Sequence, residues 1–177
     1  MFELRRATAA LFVAVFFLSI SISAQAETVT AADGSTIEKF GNWRGKCASP
    51  DGTNNICTLS FEIRSEQSQS VALFFAIGRN PNNEYYAITI VPLGTHLPNG
   101  VKFGVDGTEL AAIPLQVCIP IGCQSISPVA GDSLQRLKAG NNMTVDFIDI
   151  RNGPVSLDVS LSGMTAGINW LDQQAPS

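Results

Sequence analysis

The sequence predicts an all-β protein, an antiparallel sandwich or barrel with one or two short helices, and three observations carry that reading. Apolar and polar residues alternate with a period of two over several short runs, and turn-forming residues separate those runs at short intervals. Helical spacing is confined to two brief stretches near the C-terminus.

In chain order, the first segment is an export signal. Arg5-Arg6 forms its charged region, Ala9 to Ile22 its apolar run, and Ala24-Gln25-Ala26 its cleavage site, so residues 1–26 are expected to be removed. The apolar run is short and interrupted by serine, and no later stretch supplies the roughly 20 apolar residues of a membrane span. No cysteine stands at the cut to carry a lipid, and the arginine pair lacks the neighbours of a twin-arginine signal. Residues 27–35 are small and polar and are expected to be a flexible N-terminal segment, leaving 36–177 as a single domain.

Ile37, Lys39, Gly41 and Trp43 alternate with Glu38, Phe40 and Asn42, which predicts a first strand ending near Cys47. A loop from Ala48 to Asn55 follows, and then a strand with Cys57, Leu59, Phe61 and Ile63 on one face and Thr58, Ser60, Glu62 and Arg64 on the other. The run from Val71 to Ile77 is apolar on both faces. Val71, Leu73, Phe75 and Ile77 fit the core, which leaves Ala72, Phe74 and Ala76 as an apolar outer stripe. Either a helix covers that stripe, from Asp132–Gly140 or Gly163–Leu171, or it meets a partner or a second copy of the chain.

A turn from Gly78 to Glu84 leads into a strand from Tyr85 to Val91, stopped by Pro92 and Gly94. Val101 to Val105 and Thr108 to Ile113 flank Asp106-Gly107, the signature of a two-residue hairpin turn. Gly122 to Ile126 is the next strand. Asp132 and Gln135 have the spacing of a capping box at the start of a short helix, with Arg136 and Lys138 near its end. Met143, Val145 and Phe147, a turn at Asn152-Gly153, and Val155, Leu157, Val159 and Leu161 make a second hairpin with one polar face. Met164, Ile168 and Leu171 then share one side of a closing helix.

Four cysteines permit three pairings. Cys118 and Cys123 bracket a Pro-Gly clip, which leaves Cys47 to pair with Cys57, and short loops of this kind add about 2 to 3 kcal/mol each. Zinc is disfavoured because the spacings are wrong and the only histidine, His96, stands elsewhere. Gly131-Asp132-Ser133-Leu134 superficially spells a hydrolase nucleophile motif, but Ser133 has no downstream histidine to activate it. Asp146, Asp149 and Asp158 lie on neighbouring strands, with Asp146 and Asp158 on polar faces where solvated charges belong. Phe40, Trp43, Phe74, Tyr85 and Tyr86 are assigned to the core before any recognition surface.

Eleven Lys and Arg stand against fifteen Asp and Glu. Without Glu3, Arg5 and Arg6 the balance is nine against fourteen, a net charge of −5 that offers no footprint for nucleic acid or anionic lipid.

Trp43 followed by Cys47, Cys57, Val91-Pro92-Leu93-Gly94 with Leu97 and Gly100, Asp106-Gly107, Cys118 with Gly122-Cys123, and Ser160-Leu161-Ser162-Gly163 with Ala166 together resemble the invasion-associated locus B family of exported proteobacterial proteins. Met164 after Gly163, where an aromatic is expected, and Gly167, which would loosen the closing helix, depart from the pattern. The resemblance implies an immunoglobulin-like β-sandwich in the periplasm or outer envelope, and in some pathogenic members a part in entry into host cells, including red cells. It implies no catalytic, cofactor or metal residues. The chain is therefore read as a non-enzymatic envelope binding or interaction protein with a protein or cell-surface partner. A structural or stress-related periplasmic protein is the alternative, and a divergent hydrolase the last.

Overall fold

The computed structural model describes residues 27–30, 36–49, 56–66 and 68–174. The leader and its cleavage site lie outside them, as does most of the Ala48–Asn55 loop. In chain order the elements are β1 (Glu27–Thr30), β2 (Thr36–Phe40), β3 (Trp43–Ala48), β4 (Ile56–Arg64), β5 (Val71–Arg79) and β6 (Tyr85–Val91). After a 3-10 turn at Leu97–Asn99 come β7 (Val101–Val105), β8 (Thr108–Ile113), β9 (Val117–Ile119) and β10 (Gly122–Pro128). Helix α1 (Gly131–Ala139), β11 (Asn142–Asp149), β12 (Gly153–Ser160) and α2 (Met164–Gln173) complete the fold.

The strands form an all-β antiparallel sandwich of two packed sheets, one of eight strands in the order β1-β2-β3-β4-β5-β6-β10-β9 and one of four in the order β12-β11-β7-β8. The core lies between them. Leu59, Leu73, Phe75 and Ile77 of the larger sheet meet Val101, Phe103, Met143 and Val145 of the smaller. Trp43 has no exposed surface, contacts Phe61 and Phe75, and donates its indole N–H to the Ser160 carbonyl at 3.0 Å, tying one sheet to the end of the other. Fully burying side chains of this size contributes about 1.5 to 3 kcal/mol each.

Several expectations about the elements change. Residues 37–47 are two strands, because Gly41 takes φ +60° and turns the chain back so that Phe40 faces Trp43. Glu27–Thr30, expected to be flexible, is a strand paired with β2, since its backbone continues the ladder that this hairpin exposes. Asp132 is not a helix cap: α1 is entered from Ala130, and Asp132 sits in its first turn, where its charge complements the helix dipole. That start sets Leu134 and Leu137 on the buried face. Gly167 does not loosen α2, because Leu59 lies so close that a Cβ there would stand 2.5 Å from Leu59 Cδ1.

The Asp106-Gly107 turn has positive φ at both residues, +48° and +78°, the geometry its sequence demands. Asn152-Gly153 closes a longer turn than expected. Asp149 pairs with Gly153 across three residues, and Asp149 Oδ1 accepts the N–H groups of Arg151 and Asn152.

Candidate functional site

The larger sheet's outer face is the side turned away from the core. Across β4, β5, β6 and β10 it presents Glu62 opposite Phe74, Phe74 opposite Ile90, and Ala76 opposite Ile88. Neither helix covers it. Trp170 of α2 lies against Gly45 and Gly167 against Leu59, both on the inner face, while α1 packs against α2 and β8. The expected cover for the outer stripe is therefore not there, because the apolar sides of both helices are spent on the core.

The stripe itself is narrower than the alternation suggested. Ala76 is buried at 1% exposure, its single methyl overtopped by Ser60 and Ile88 on the flanking strands. Ala72 is an extra, unpaired residue: Ile63 faces Leu73 while Arg64 faces Val71, so the register slips there. The slip also carries Val71, expected inside, to the edge of the outer face. Only Phe74 keeps the position expected of it.

Around Phe74 the loops at one end of the sheet close a groove of about 640 Å³. Phe74 and Ile90 line it between the β4–β5 connection, Pro92-Leu93, Pro120-Ile121 and Arg151 of the β11–β12 turn. Leu93 and Ile121 are 51% and 58% exposed, apolar side chains held at turn tips. Short-range chemistry fixes each tip. Thr95 Oγ1 donates to the Pro92 carbonyl at 2.8 Å, and Ile150 N–H donates to the Gly94 carbonyl at 2.8 Å, which holds the Pro92-Leu93 loop beside the β11–β12 turn. Cys118 and Cys123 are disulfide-bonded with Cα atoms 3.9 Å apart, so the clip carries Ile121 to the rim on a closed hairpin.

The polar part of the groove is built from Glu62, Arg64 and Arg151. Arg64 Nε lies 2.5 Å from Glu62 Oε1, and Arg64 Nη1 donates to the Gln69 carbonyl at 2.9 Å. Arg64 offsets Glu62, and Arg151 stands exposed at the rim over the Asp149 carboxylate. The Asp149 carboxylate beneath it is held below the usual aspartate range by the N–H groups of Arg151 and Asn152.

The remaining sequence candidates do not converge. Cys47 and Cys57 form the other disulfide, joining facing residues of β3 and β4. His96 is exposed, its Nδ1 hydrogen-bonded to Asn99 Oδ1, and not to Ser133 on α1. Asp146 and Asp158 lie on the polar face of the smaller sheet, where Asp158 accepts from Asn142 Nδ2 at 2.9 Å, and Asp149 is on the opposite side of β11. Phe40 and Trp43 are core residues. Tyr85 donates to Asp172 at the end of α2, with Arg79 over its ring, and burial followed by that carboxylate raises its pKa. Among the described residues no three His, Cys, Asp or Glu side chains gather as a metal site, and no helix is long and apolar enough to cross a membrane.

Leu93 and Ile121 enter the sequence reading only within the Val91–Gly94 and Cys118–Cys123 loop motifs, and neither they nor Ile90 and Arg151 are read there as a surface. A signal was present, since Leu93 and Ile121 are bulky apolar residues flanked by proline and glycine, where a turn normally places polar ones.

Residues 43–172 match the family model described as Invasion associated locus B (IalB) protein. The crystal structure of invasion associated protein B from Bartonella henselae superposes with a TM-score of 0.67 at 22% identity, covering 77% of this chain and 95% of that one, a likeness of fold. No curated protein matches the chain.

Proposed function

The chain belongs to the invasion associated locus B family, and from that premise we propose that it is an exported envelope protein that acts by binding a partner protein, without chemistry of its own. The observation that carries this reading is the groove around Phe74, with two exposed apolar tips and the exposed Arg151 at its rim. Aromatic and aliphatic anchors set in a concavity, with an arginine at the edge, are the features that concentrate binding energy at protein interfaces. The complementary partner presents an apolar side chain beside a carboxylate. Two disulfides support an extracytoplasmic site of action, in the periplasm or at the outer membrane.

Photo-crosslinking from positions 93 and 121 in the intact envelope tests the reading, with Ser156 on the far sheet as control. One defined product is expected from both tips and none from Ser156. Phe74→Ser should remove that product while lowering stability by only about 1 kcal/mol, as befits a half-buried ring. A product consisting of the chain linked to itself would make this face an interface between copies. Equal yields from all three positions, or a yield indifferent to Phe74→Ser, would refute the groove as the binding surface.

A further inference from the structure

We propose that a second cavity, between the two sheets and beneath α1, binds a small uncharged amphiphile: an aromatic ring or short alkyl chain bearing one hydroxyl or carbonyl group. Its volume is about 180 Å³, and Phe75, Ala87, Phe103, Leu110, Leu137 and Met143 supply most of its wall. An apolar cavity of about 150 Å³ is enough to hold benzene, so this one suits a molecule of roughly seven non-hydrogen atoms. No ionisable side chain lines it. A charged ligand would be buried there without a counter-ion, which excludes carboxylates and amines.

The hydrogen-bonding group is read from a separate observation. Thr89 has no exposed surface, its Oγ1 has no partner, and it lines the cavity. Directly across the β6–β10 ladder stands Ser125, equally buried and equally without a partner. Two facing orphan hydroxyls on neighbouring strands are hard to explain as packing, because valine and alanine would fill the same space without an unmet polar group. Ser125 does not line the cavity, so a guest reaches this pair through Thr89, donating or accepting there. The entrance is lined by the exposed Pro128 and Ala130 and the half-buried Ala111 and Ser133.

Calorimetric titration of the purified chain with p-cresol and with toluene separates the two parts of the proposal. Both probes should bind, p-cresol more tightly by about tenfold, the worth of one hydrogen bond. Thr89→Val, which keeps the shape, should bring the two affinities together. Ala111→Leu, at the mouth on an edge strand, should weaken both probes at least tenfold, and Ser156→Ala, exposed on β12 and lining neither cavity nor groove, should leave both unchanged. Failure of the wild type to bind either probe at millimolar concentration overturns the site, as does binding indifferent to Ala111→Leu. A preference for p-cresol that survives Thr89→Val overturns the role of Thr89.

Discussion

Gly167 against Leu59 is one of the contacts that seat α2 on the larger sheet, and the pair can be tested as a cycle. Leu59 has no exposed surface, so Leu59→Ala leaves a void under the helix and should cost about 3 to 5 kcal/mol. For a domain of this size each kcal/mol lowers Tm by about 2 to 4 °C, so a fall of roughly 6 to 20 °C is expected. Gly167→Ala alone forces a Cβ to within 2.5 and 2.6 Å of the two Leu59 methyl carbons, an overpacking that costs about 1 to 3 kcal/mol despite alanine's better helix propensity. In the Leu59→Ala background the obstructing methyls are gone. There Gly167→Ala should stabilise by up to about 1 kcal/mol, the propensity difference alone. The sign of the same substitution thus reverses, with a coupling of about 2 to 4 kcal/mol where independent sites add to within about 0.5. Urea denaturation of the four proteins, with m-values compared, measures it. Additive effects would refute the seating of α2 on β4 described above.

Replacing Cys118 and Cys123 by serine should lower stability by about 2 kcal/mol, and replacing Cys47 and Cys57 by about 3, since the effect grows with the logarithm of loop length; denaturation midpoints with and without reductant check both. Only the first pair should also reduce partner crosslinking from position 121, because only that hairpin carries the tip. Asp106 accepts the N–H groups of Asn142 and Asn141, which hold its carboxyl below the usual aspartate range. A depressed folded-state pKa stabilises above about pH 4 and is lost as the pH falls through that lower value. Asp106→Asn, which keeps the positive-φ turn, should therefore lower stability near pH 7 and flatten the acid limb of a stability-against-pH curve, the two proteins converging at low pH.

The strands were legible wherever one face is wet. In β4, β11 and β12 the alternation of Leu59 with Ser60, Val145 with Asp146 and Leu157 with Asp158 sets both the element and its facing, because a slip of one residue would bury charges. Legibility failed where local and tertiary demands differ. The β2–β3 hairpin reads as one strand, since Gly41-Asn42 continues the alternation while turning the chain. Ala76 and Phe74 look equivalent in sequence, yet the height of Ile88 and Ser60 buries one and leaves the other at the groove. The groove was not legible as a unit. Its walls come from four connections far apart in the chain, and only the sandwich brings Arg64, Leu93, Ile121 and Arg151 to the same end. The orphan hydroxyl of Thr89 was equally hidden, as a threonine in a strand carries no mark of whether its partner exists.

The seat of α2 also fixes when the molecule can be finished. Leu59 waits for Gly167 and Gly45 for Trp170, so the face of β3 and β4 stays open until Met164–Gln173 has been made. The covalent bonds keep a different clock, because Cys47 and Cys57 are only 10 residues apart and Cys118 and Cys123 only 5. Each pair can be oxidised as soon as its own hairpin is out, before any of the smaller sheet beyond β8 exists. Oxidation is therefore no report of completion. A chain stalled or clipped ahead of Met164 would carry both disulfides and still present bare hydrocarbon around Leu59, which is the difference a quality-control protease has available to read.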